Sequence, residues 1–271
     1  EALAIEQIAI TDRDPVYGML ALLVLEKANK LQKSTLEKLE KEASEETLIA
    51  ALICYRDGSF GLPPDIDRLI KDSRLTVKVH AYRLLVERLD EQTVVKEIIS
   101  KLPELEPVVS DYVIKSLGKA GRLNNTEIAK ALNKIAVANR YIRRRLFGSL
   151  IQEKDISAEY AQAISAADDK DEVESAYSIY LSEKLKGHKE FDLKAYDQSI
   201  KNASAVKKLA LFMSYIDYVK ATKGENADKI LLDVNDGTLA AIEASEIAKL
   251  LDSNEFGRRF LLLCRQNLKK W

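Results

Sequence analysis

One spacing runs through this chain almost without a break: an apolar side chain, a second four positions on, and a third three positions later. Val16, Leu20 and Leu23 show it first, followed by Leu48, Leu52 and Tyr55 with Ala51 beside them. It returns at Val77, Ala81 and Leu84, at Val113, Leu117 and Ala120, and at Ile142, Leu146 and Ser149. Val173, Tyr177 and Tyr180 continue it, as do Val206, Ala210 and Met213, and Phe256, Phe260 and Leu263 close it. Such offsets bring side chains onto one face of a helix, so each triplet predicts a buried stripe. No long alternation of period two competes with them. Ala, Leu, Ile, Lys and Glu dominate, and 271 residues hold only ten Gly and five Pro. This is the composition of helices joined by short turns, and the chain reads as all-α.

Punctuation supports that reading. Ser34 with Glu37, and Asn124 with Glu127, have the spacing of a helix-starting capping box. Gly121, Gly187, Gly224 and Gly237 lie in polar connectors where helices stop. The segment RDGSFGLPPDID, Arg56 to Asp67, breaks the helical pattern, and reads as an enlarged turn. DVNDG, Asp233 to Gly237, lacks the glycine and final glutamate of an EF-hand loop and reads as a turn capping a helix. DDKDE, Asp168 to Glu172, reads as a solvated helix start, where acidic side chains suit the helix dipole.

From Val16 to Val206, successive stripes begin about 29 to 36 residues apart, room for two helices and two turns. Three stripes carry a further pattern. Asn139, Ile142, Arg143, Leu146 and Leu150 form its best copy. Arg74, Val77, Lys78, Ala81 and Leu85 form a looser one, with Asp72 just upstream, and Lys170, Val173, Glu174, Tyr177 and Leu181 form another. These residues resemble the second helix of the HEAT-like repeat family. The resemblance implies a right-handed α-solenoid, a superhelix of HEAT-like helix pairs, with an irregular helical array as the alternative. Residues 1–271 are then expected to form a single repeat domain of about seven to eight helix pairs. The opening EALAIEQ lacks an initiating Met, a basic segment and a signal-like apolar core, so a processed form or a piece of a longer protein is expected.

Chemistry is sparse. With 42 basic and 43 acidic side chains, the net charge of −1 argues against a dedicated nucleic-acid binder. Cys54 and Cys264 sit in apolar contexts and read as buried thiols. His80 and His188 are far apart, without the spacing of a zinc site or a histidine-based triad, and His80 reads as a surface or half-buried side chain. There is no phosphate-binding P-loop, and MLALLVL, Met19 to Leu25, is too short to span a membrane. Some DNA glycosylases are built from HEAT-like repeats, and that resemblance implies Trp, Asp and Arg together on a concave surface. Here the single tryptophan is Trp271, at the last position. The expectation is a non-enzymatic protein, with no catalytic residue, metal or cofactor.

The densest positive charge lies in NRYIRRRLFGSLIQEK, Asn139 to Lys154, which could be a phosphate grip or a basic piece of architecture. With Ile142, Leu146 and Ser149 facing the core, Tyr141, Arg144, Arg145 and Gly148 fall on the outer side. Arg143 borders the core stripe, where the HEAT-like resemblance implies a bond between neighbouring repeats. The same offsets bring Tyr112, Lys115, Ser116 and Lys119 outward on the preceding stripe helix, and Val79, His80 and Arg83 on the one before. Glu172, Ser175, Ala176 and Ile179 follow, ending the basic trend. Arg83, Tyr112, Lys115, Lys119, Tyr141, Arg144 and Arg145 thus make a candidate partner-binding groove. Its expected occupant is an acidic protein or peptide; nucleic acid is the rival, because arginine with aromatics can also follow a phosphate backbone.

Overall fold

The computed structural model describes residues 2–11, 14–39, 44–58, 60–187, 198–199 and 203–223. Every regular element among them is a helix. The chain divides into two compact units, Glu1–Arg122 and Leu123–Trp271. The expected stripe at Phe256, the DVNDG turn, Gly224, Gly237, His188, Cys264 and Trp271 lie outside the described residues.

In the first unit, α1 (Ala2–Thr11) packs on α2 (Pro15–Lys27), and α3 (Lys33–Leu39) packs on α1 and on α4 (Glu45–Asp57). α5 (Ile66–Leu69), α6 (Leu75–Arg88), α7 (Glu91–Glu97) and α8 (Pro107–Lys119) follow. Contact passes from α2 to α4, from α4 to α6 and from α6 to α8. The expected stripes Leu48–Leu52–Tyr55 and Val77–Ala81–Leu84 are buried, as are Val113 and Leu117. Ala120 lies just past α8 and is exposed.

The stripe expected on α2 is wrong. Val16 and Leu20 are exposed, Leu23 is half-buried, and the buried face is Gly18, Ala21, Leu22 and Leu25. A Cβ on Gly18 would stand 3.2 Å from Thr47 Oγ1, so α2 meets α4 across its small residues. Close approach of two helix backbones favours Gly and Ala over the larger residues that periodicity selects.

In the second unit, α9 (Thr126–Ala138) packs on α10 (Arg140–Leu150), and α10 on α12 (Glu172–Leu185). α11 (Ala161–Ser165) rests on α9 and α12, and α13 (Ala205–Lys223) packs on α12. Ile142, Leu146, Val173, Tyr177, Tyr180, Val206, Ala210 and Met213 are all buried, while Ser149 is only half-buried. Phe147 meets Tyr177 edge-on, with ring centroids 6.3 Å apart.

Two starting signals shift by a residue or more. The cap of α9 is Asn125, whose side chain accepts from the amides of Glu127 and Ile128. Asn124 instead bonds to Asp155 and Ser157, tying the two ends of the α9–α10 hairpin together. α3 begins at Lys33, so Ser34 lies inside the helix. The stops are as expected at Gly121 and Gly187, where φ of 66° and 67° suits a residue without a side chain. Within the Arg56–Asp67 segment α4 continues to Asp57 and α5 starts at Ile66; the described residues 60–65 between them are not helical, with Gly61 at φ 79°.

Candidate functional site

The arginine-rich helix α10 is built from its first residue outward. Asn139 caps it, its side chain accepting from the Ile142 amide at 3.1 Å. Ile142, Leu146, Phe147 and Leu150 anchor one face in the core. The four arginines then have fixed directions, and three of them meet carboxylates. Arg140 donates to Asp171 at 2.5 Å and to Glu174 at 3.2 Å, and lies 3.7 Å from Asp168. Arg143 is buried, donates to Glu174, and reaches the carbonyls of Ala136 and Val137 at 3.0 and 3.2 Å. Arg144 contacts Asp171 at 3.4 Å. Arg145 lies over the Tyr141 ring, 5.1 Å from its centroid.

The carboxylates come from the start of α12. Asp171 caps that helix, accepting from the amides of Val173 and Glu174. Burial pushes the Asp171 carboxyl up, but the Glu174 amide, the Arg140 guanidinium and Arg144 outweigh it and hold the carboxyl below its ordinary value. Glu174 is fully buried between Arg140 and Arg143. The DDKDE segment is a helix start, as expected, but Asp171 is not solvated as expected: its side chain is 12% exposed and is a counter-charge of the arginine cluster. Arg143 joins α10 to α9 and α12. Arg140 and Arg143 thus tie helices together, and a phosphate at Arg144 would compete with Asp171.

The remaining candidates belong to the first unit. Arg83 donates to Glu87 at 2.8 Å on its own helix. Lys115 donates to Asp111 at 2.5 Å and lies 5.6 Å from the Tyr112 ring centroid. Lys119 is exposed, as are Tyr112 at 48% and Val108 at 46%. Val108, Tyr112, Lys115 and Lys119 follow one another at four, three and four positions, forming one outward stripe along α8. Five residues expected outside, Gly148, Ser116, Val79, Ser175 and Ala176, are buried, while Arg83, Lys115, Arg144, Arg145 and Ile179 are half-buried, as is His80. α6, α10 and α12 each pack against more than one other helix, so a single three-residue stripe understates the buried arc there.

Burial, with Arg83 and Arg56 nearby, lowers the His80 pKa. Burial pushes the Cys54 thiol up to about 12, with Glu26 and Asp57 adding to the effect. Among the described residues no group of His, Cys, Asp and Glu is placed to hold a metal ion. Among the same residues no helix is long and apolar enough to cross a membrane.

Sequence reasoning missed the acidic partners of Arg140 and Arg143. A signal was present: Asp171 and Glu174 follow them by 31 positions each, one interval of the stripe pattern. Compared with known proteins, the chain is matched by no protein-family model, no curated protein and no solved structure.

Proposed function

We propose that this chain is a non-enzymatic interaction scaffold, a solenoid of HEAT-like helix pairs that holds an acidic protein or peptide against α8. Stepwise packing of every second helix, from α2 through α4 and α6 to α8, supports the repeat reading in the first unit. Hydrogen bonds between helices add to it, because many join residues about one interval apart: 30 to 33 from Arg88, 33 and 36 from Arg122, and 31 from Arg143.

The observation that carries the contact surface is the α8 stripe. Tyr112 and Val108 expose apolar area beside Lys119, while Lys115 lies against the tyrosine ring. Tyrosine beside a cation offers a rigid amphipathic surface and a charge in one patch, and acidic side chains complement it. Arg140, Arg143 and Arg144 are less suited, since Asp171 and Glu174 hold them.

The test uses a fluorescent peptide of alternating glutamate and leucine, titrated with the wild type and with the Tyr112→Ala/Lys115→Glu/Lys119→Glu variant. Binding is expected to weaken with added salt and to drop at least tenfold in the variant, with helical content unchanged. Equal binding by both proteins would end the reading. A polynucleotide binding more tightly than the peptide, and losing affinity in the same variant, would replace the acidic partner with nucleic acid.

A further inference from the structure

The last carbonyls of a helix have no partner within it, and a left-handed residue just beyond the end is the common local remedy. α2, α8 and α12 use it. Asn29 has φ 52° and Gly121 and Gly187 have φ 66° and 67°, and the chain folds back to bond Leu25, Leu117 and Lys184 carbonyls. α4 and α6 end differently, on the extended caps Gly58 and Leu89, and α10 runs on through Ile151 into a turn whose amides bond the Ser149 and Leu150 carbonyls.

A cation from further along the chain reaches each of these ends, as Arg143 reaches the last turn of α9. Arg88, the last residue of α6, donates to the Tyr55 and Arg56 carbonyls of α4 at 3.0 and 2.6 Å, and to Gly58. Arg122, just after α8, donates to the Leu89 carbonyl behind α6 at 2.8 Å and to Val86. Lys184, in the last turn of α12, donates to Ile151 behind α10 at 3.1 Å, to Leu150 at 3.5 Å and to Glu153. Each donor stands at a C-terminal end and reaches another C-terminal end, so α4 and α6, α6 and α8, and α10 and α12 run in the same direction. Lys78–Glu106 and Arg140–Asp171 repeat the relation at the opposite ends.

We propose that Arg88, Arg122 and Lys184 are one conformational device used three times, a cationic cap lent to the end of the preceding parallel helix, where no described residue has the left-handed backbone. The positive charge opposes the negative pole of the helix dipole while its N–H groups satisfy the orphan carbonyls. Burial lowers the Lys184 pKa, and Asp217, Glu153 and Asp155 pull it back up. The consequence is directional: helix n fixes the last turn of the helix stacked before it, and not its own.

Residue-resolved amide hydrogen exchange on the whole chain tests this with Arg88→Met, Arg122→Met and Lys184→Met. Exchange is expected to rise roughly threefold to thirtyfold in the last turn of α4, α6 and α10 respectively, some 30 residues upstream of each substitution. Arg88→Lys and Arg122→Lys should restore much of the protection. If a methionine variant does not fold, Arg122→Gln keeps a neutral donor and is read at the same α6 amides, with a smaller rise. Unchanged exchange at the upstream helix end, or a rise confined to the helix carrying the substitution, would overturn the proposal.

Discussion

Glu174 has no solvent exposure, and two arginines from another helix hold it. A buried charge tolerates partner loss poorly, because the survivor keeps its desolvation cost. Glu174→Ala should therefore lower stability by about 3 kcal/mol in urea unfolding. Asp168→Asn keeps an acceptor for the Lys170 amide and weakens the contact with the exposed Arg140 at 3.7 Å, and should stay within about 0.5 kcal/mol of the wild type. Arg144 deserves the same caution: Arg144→Glu would bring a carboxylate against Asp171, so it reports on folding before it reports on any partner. Cys54 gives the opposite kind of test. Its side chain is buried and its thiol titrates near 12, so the reactive thiolate is scarce at neutral pH. In a Cys264→Ser background, labelling of the native protein by a thiol reagent should be slow, and should become rapid at the urea concentration where the chain unfolds.

At the scale of elements, α2 separates periodicity from packing. Its sequence offers two apolar faces, Val16–Leu20–Val24 and Leu22–Leu25, and a period alone cannot choose between them. The small side chains of Gly18 and Ala21 choose, by letting α2 approach Thr47 on α4. Leu22→Ala should cost about 2–5 kcal/mol in denaturant unfolding, whereas Leu20→Ala, at a position 47% exposed, should cost under about 0.5 kcal/mol. Elsewhere the stripes were legible. Leu48, Val77, Ile142, Val173 and Val206 all face the core from the register expected of them, because side chains four and seven positions on share one helix face. The fine boundaries were less legible. Adjacent Asn124 and Asn125 are equally good caps by chemistry, and only the hairpin contacts to Asp155 and Ser157 divide the roles.

At the scale of the whole molecule, the dependence of stability on pH gathers such local effects. Asp72 accepts from the Arg74 guanidinium at 2.9 and 2.8 Å and from its amide at 2.8 Å. The Arg74 side chain, against the opposing cost of burial, holds the Asp72 carboxyl down to about 2. A folded-state value below the unfolded one contributes stability that is complete above about pH 4 and fades as the pH falls through about 2. The stability gap between wild type and Asp72→Asn should therefore be widest near neutrality and shrink over that interval. A gap that is constant with pH would mean that Arg74 does not hold the carboxylate in solution.

The all-helical character of the described chain, its buried stripes and the glycine stops at Gly121 and Gly187 follow from sequence alone. Each rests on local spacing or local backbone freedom. The fate of the charges does not. NRYIRRRLFGSLIQEK reads as a basic surface until α12 brings Asp171 and Glu174 against it. Arg88, Arg122 and Lys184 read as ordinary helix-end cations until each meets the carbonyls of another helix. Charge pairing depends on distances of a few ångströms between residues some thirty positions apart, and only the packing of one helix on the next sets those distances.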